Sequence, residues 1–171
     1  MLGAGMISGR AGAQSLPLNT AYLAAKAAID VCVADGYPKS AAVVADLTGV
    51  EEVVLRAPGA PEPTVESARR KAYTVAKTGM SSYAFGKSKG FVDHPPNPPA
   101  AVGGARPAPA AGFNPFAGLP VYDNDPQLIP WGGGVPIKLR GVLAGSVALS
   151  GAPGPLKDES CALAGAAEVS N

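Results

Sequence analysis

Arg56, Lys71, Asp158 and Glu159 form the one set of charged residues in this chain with the makings of a reaction site. Two carboxylates facing two cations can bind a small polar molecule, or shift one group's proton affinity toward neutrality for acid–base work. The run Gly132-Gly133-Gly134, upstream of the acidic pair, has no side chains to hold a ligand away from the backbone. A plainer account exists for the same residues. Asp158 reads as the N-cap of a C-terminal helix, worth about 1 kcal/mol, with Glu159 favoured beside it by the helix dipole. Sequence leaves both accounts open.

A second set is cationic. Arg69, Arg70 and Lys71 are consecutive, Lys77 follows, and Arg56 closes a strand. Guanidinium groups suit carboxylates through charge-assisted bonds, although an ordinary solvated helix face has the same composition. Ser81 and Ser82 add weak hydroxyl donors or ligands. For a metal, the single histidine, His94, sits next to Asp93 in a proline-rich stretch, with Met80, Tyr73 and Tyr83 as other candidate ligands. There is no HExxH, GxSxG, P-loop lysine motif or paired-cysteine metal site, so zinc-enzyme, hydrolase and kinase readings have no footing.

The elements that must position these residues follow from spacing. Asn19 or Thr20 caps a first helix with apolar positions at Tyr22, Ala25, Ile29 and Cys32, ended by Gly36 and Pro38. Residues 41–45 and 53–55 read as an antiparallel hairpin turning at Thr48-Gly49. Thr64 caps a second helix whose buried stripe is Val65, Ala68, Ala72 and Val75. Residues 88–130 form a long proline-rich insertion, with Phe113, Phe116 and Tyr122 suggesting a loop laid on a surface or a neighbouring subunit. Strands near Gln127–Trp131, Val135–Lys138 and Val142–Leu149 precede the last helix, giving the order α-β-β-α-β-β-β-α.

At 171 residues the chain is expected to be one domain spanning 18–171 behind a leader, residues 1–17. A net charge of +1 gives no footprint for nucleic acid or an anionic membrane, and no run approaches a membrane span. Ala11-Gly12-Ala13 has the shape of a signal-peptidase site in a segment short for a full signal. A periplasmic or secreted location and a cytoplasmic one both stay open. Cys32 and Cys161 lack metal spacing and read as buried, inert thiols, able to pair only if their helices are neighbours.

Taken in order, Val43–Asp46, Val54–Arg56, the Ala68–Ala76 helix, Gly132–Pro136, Val142–Gly151 and Asp158-Glu159 with Cys161-Ala162 resemble the haem-binding and haem-degrading HbpS/GlcG family, related to the C-terminal domain of PduO. The resemblance implies an α+β, three-layer fold with a five-stranded antiparallel sheet flanked by helices. It also implies a homo-oligomer, often an octamer, and haem as ligand. On that reading Arg56, Arg69, Arg70, Lys71, Ser81, Ser82 and Gly132–Gly134 would hold the cofactor and His94 its iron. The alternative is a haem-free small-molecule enzyme or binding protein using Arg56, Lys71, Asp158 and Glu159, with Lys71, Asp158 and Glu159 catalytic.

Overall fold

The computed structural model describes residues 16–90 and 121–170. Its first helix, α1 (Leu18–Ala34), buries Ala21, Ala24, Ala25, Ala28, Ile29 and Cys32, the positions that a 3.6-residue period places on one side. Pro17, not Asn19 or Thr20, is the N-cap, and its carbonyl accepts the Ala21 amide at 3.0 Å. β1 (Ala41–Ala45) and β2 (Glu51–Arg56) form the expected hairpin. Its turn is held by Asp46, whose Oδ1 accepts the Thr48 and Val50 amides at 2.8 and 3.0 Å. α2 (Glu62–Thr78) starts behind Pro61 rather than at Thr64 and stops at Gly79, whose φ of +70° a left-handed cap requires.

A short helix without a counterpart in the sequence reading, α3 (Ser82–Ser88), follows, with the Ser81 hydroxyl accepting the Ala84 amide as its cap. β3 (Gly134–Leu139) and β4 (Val142–Ser150) pair around Arg140-Gly141, and α4 (Pro155–Val169) closes the described fold behind Gly154. The sheet among the described residues is antiparallel with the order β2-β1-β4-β3. Ala41 therefore lies between Arg56 and Ser150.

Both sheet faces are covered. Ala42, Val44, Val135, Ile137, Val147 and Leu149 pack with α1 and α4 in the main core. Val43, Ala45 and Ala148 meet Ala68 and Ala72 of α2 on the other side. These small side chains bring helix and sheet close together, and the Ser146 hydroxyl reaches the Ala72 carbonyl at 3.0 Å.

Three expectations are corrected. The described sheet has four strands, not five, because Gln127–Trp131 joins no ladder. Pro126 precedes that segment and Pro130 lies within it, neither with an amide hydrogen, and the Ile129 amide donates at 3.0 Å to the Thr74 hydroxyl on α2 instead of to a strand. Asp158 is not an N-cap; it lies in the first turn of α4 and points inward. Cys32 and Cys161 are joined as a disulfide between α1 and α4, with Cα atoms 5.5 Å apart. Gly165, without a side chain, lets the helices approach so closely that a Cβ there would stand 2.9 Å from the Cβ of Ala28. The proline-rich insertion lies mostly outside the described residues.

Candidate functional site

The fold brings the residues around Lys71 together from four directions. From α2, the Lys71 ammonium donates to Asp158 Oδ2 at 2.6 Å and to the Leu149 carbonyl of β4 at 3.1 Å. Asp158 Oδ1 accepts the Ala152 amide at 2.9 Å. Lys71 is 2% exposed and Asp158 5%, so this is a buried ion pair with each member also tied to backbone. Burial pushes the Asp158 carboxyl up from its ordinary range, against Lys71 and the Ala152 and Gly151 amides.

Glu159, the next residue on α4, is half-buried. Its Oε2 accepts the Gly133 amide at 3.2 Å, and the Ser81 hydroxyl also hydrogen-bonds it. Burial raises its proton affinity; the Gly133 amide, Ser81 and the Lys71 charge work in the opposite direction. Ser82 is buried and takes the Gly134 amide at 2.9 Å.

The three glycines are explained by these neighbours. A Cβ on Gly133, whose φ is +120°, would stand 2.7 Å from Lys71 Nζ, Asp158 Cβ and the Leu149 carbonyl. On Gly134 it would meet the Lys71 carbonyl at 2.6 Å, and on Gly132 Glu159 Oε2 at 3.0 Å. The space next to this backbone is occupied by the chain's own side chains.

The remaining sequence candidates stand apart from that cluster. Arg56 is exposed at the end of β2, and Ala41 separates it from Ser150 in the sheet. Arg69 pairs with Glu51 at 2.9 Å, and Arg70 with Glu66 at 2.7 Å and with the Pro126 carbonyl. His94 lies outside the described residues. Among the described residues no group of three or more His, Cys, Asp or Glu side chains is arranged to hold a metal ion. No described helix is long and apolar enough to cross a membrane. Sequence reasoning preferred free thiols to the disulfide, and it did not foresee the Ser81 contact to Glu159, which joins residues 78 apart in the chain.

The described residues define an α+β class of domain, with an antiparallel sheet between helices and a buried lysine–carboxylate pair at the start of the last helix. The chain belongs to the family described as haem degrading protein HbpS-like, whose model matches residues 16–167. It is similar to the crystal structure of HbpS, with a TM-score of 0.71 and 26% identity over 98% of this chain and 99% of that one. A double mutant of Streptomyces reticuli HbpS is similar at a TM-score of 0.69 and 25% identity, covering 99% of this chain and 100% of that one. The haem complex of PduOC shares the fold, with a TM-score of 0.65 and 19% identity over 90% of this chain and 94% of that one. No curated protein matches the chain.

Proposed function

We propose that this chain is a haem-binding, homo-oligomeric protein of an oxidising, extracytoplasmic compartment, concerned with haem or iron handling. The observation that carries this reading is family membership across residues 16–167, over nearly the whole described fold.

The residues present can be set against the demands of haem, which are an axial ligand, partners for two propionates and apolar surface. The described residues include no histidine, and both cysteines are tied to each other. Met80, 40% exposed, is the soft ligand among the described residues, and the Tyr73 hydroxyl is engaged by Asp125 at 2.7 Å. Arg56, exposed at the end of β2, suits a propionate, whereas Arg69 would have to exchange its pair with Glu51 for one. Met80 and Arg56 are the described residues with the chemistry to hold such a group. Bound haem would supply iron redox chemistry whose potential the axial ligand sets.

The Cys32–Cys161 bond supports the extracytoplasmic placement, since cytosolic thiols are kept reduced. The helical layer supports self-assembly. Outside the core, α4 carries Leu156, Ser160, Leu163 and Ala167 along one stripe, and α1 carries Leu18, Tyr22 and Val33. The charges Lys26 and Asp30 on α1 neutralise each other at 2.6 Å, so a second copy meets little repulsion there. An octamer is the assembly that the family resemblance implies.

The test is a haemin titration of the purified protein, followed by absorbance and paired with size-exclusion chromatography and light scattering. We expect a saturable Soret shift on an oligomer, weakened by Arg69→Glu. Absence of any specific spectral change would overturn the haem reading.

A further inference from the structure

The members of the charged cluster at the start of α4 are not equivalent. Lys71 and Asp158 are buried, their charges cancel at 2.6 Å, and both are further bonded to backbone. Gly133 closes over them so tightly that even a Cβ there would lie 2.7 Å from Lys71 Nζ. A ligand reaches neither without displacing the lead-in to β3. Glu159 differs: it is half-buried, and the residues next to its partners are accessible, with Met80 beside Ser81 and Leu156 on the turn below.

We propose that Glu159 is the ligand-facing acid of this site and that the buried Lys71–Asp158 pair is its positioning element. The site then presents a carboxyl hydrogen to an oxygen acceptor, such as a propionate or a carbonyl oxygen, in place of a lysine charge. That choice of ligand rests on the haem-binding reading; the behaviour of the acid does not. Lys71 faces Glu159 from α2, the Ser81 hydroxyl from α3, the Gly133 amide from the lead-in to β3, and Asp158 precedes it on its own helix. The two donors and the lysine favour the anion, and burial favours the acid and outweighs them. Because the pair is neutral, it fixes the position of α4 against β4 and α2 without strongly ionising its neighbour. Protonated, Glu159 donates to an anionic oxygen; ionised, it repels one.

The experiment has two readouts. Carbon-detected NMR of the side-chain carboxyls across a pH titration, without ligand, follows the wild type, Glu159→Gln, Lys71→Met and Ser81→Ala. Haemin affinity is then measured for the wild type and Glu159→Gln between about pH 5.5 and 8. We expect a resonance, missing in Glu159→Gln, that titrates above the ordinary glutamate range and moves higher in both other variants. Haemin binding should weaken by up to about tenfold per pH unit above that titration relative to Glu159→Gln, as one linked proton requires. An ordinary titration for Glu159, or one unmoved by both Lys71→Met and Ser81→Ala, overturns the proposal. So does an identical pH profile of haemin binding in Glu159→Gln. If Lys71→Met does not fold, Ser81→Ala carries the NMR test. If haemin binds at no pH, the haem reading fails and the titration alone judges the acid.

Discussion

Breaking the Cys32–Cys161 bond tests whether this fold depends on its covalent tie. The two cysteines are 129 residues apart in the chain, so the bond removes a large share of the unfolded chain's freedom. Loop-closure entropy for a ring of that length corresponds to about 5 kcal/mol at 25 °C. For a chain of this size each kcal/mol moves the melting midpoint by about 2–4 °C, so reduction should lower it by about 10–20 °C. The assay is thermal and urea unfolding of the wild type with and without a phosphine reductant, alongside a Cys32→Ala/Cys161→Ala variant. Both sulfurs lie in the core between α1 and α4, so the variant adds a small packing loss that reduction does not. The reduced protein should therefore fall between the oxidised protein and the variant. A reduced midpoint within 2 °C of the oxidised one, with free thiols confirmed by mass spectrometry, would refute the reasoning.

Four further outcomes are expected. Lys71→Met strands a buried carboxylate and should cost about 3–5 kcal/mol in urea unfolding, whereas Lys71→Met/Asp158→Leu should recover most of that loss. Gly133→Ala combines a φ of +120° with contacts at 2.7 Å and should cost about 2–5 kcal/mol, while Gly141→Ala, with nothing within 4 Å of the added carbon, should cost less. Glu159 holds its proton more tightly when folded than when unfolded, so its contribution to stability is complete below the unfolded glutamate pKa and is lost as pH rises through the folded value. Urea midpoints of the wild type should accordingly fall relative to Glu159→Gln over that window; parallel profiles would count against the raised value. Leu156→Asp/Leu163→Asp should give a folded monomer by light scattering, and an unchanged mass would remove the α4 stripe from the proposed interface.

Periodicity made the long helices, the hairpin and β4 legible, because their stripes recur at the spacing that burial demands. Helix starts were less so. Pro17, Pro61 and Gly154 stand where Asn19, Thr64 and Asp158 looked the better caps; none of the three makes a side-chain cap bond, and Pro155 opens α4 with a φ already set for a helix. Asp158 shows why local chemistry misleads: its preference for a helix start is real, yet an ammonium 87 residues away captures the carboxylate. The 127–131 segment has strand-like composition, but its amide pairing is decided by Thr74 on another element. The disulfide depends on α1 and α4 lying side by side, a fact that two cysteine positions do not contain. For the site, residue types pointed to Lys71, Asp158 and Glu159 together; which of the three meets solvent was settled by packing.

The strand order also bears on how the chain reaches its fold. β1 sits between β2, which follows it at once, and β4, whose Ser150 pairs with Ala41 across more than a hundred residues. The hairpin can close early, but the inner edge of β1 keeps unpaired amides and carbonyls until residues 142–150 exist. Contacts of such long sequence separation slow folding, because the loop entropy is lost before the contact rewards it. A ribosome or translocation channel would thus handle a chain whose central sheet cannot assemble until residues 142–150 have emerged. Completion of the sheet waits for β4, and the two distant cysteines can meet only once Cys161 has followed it.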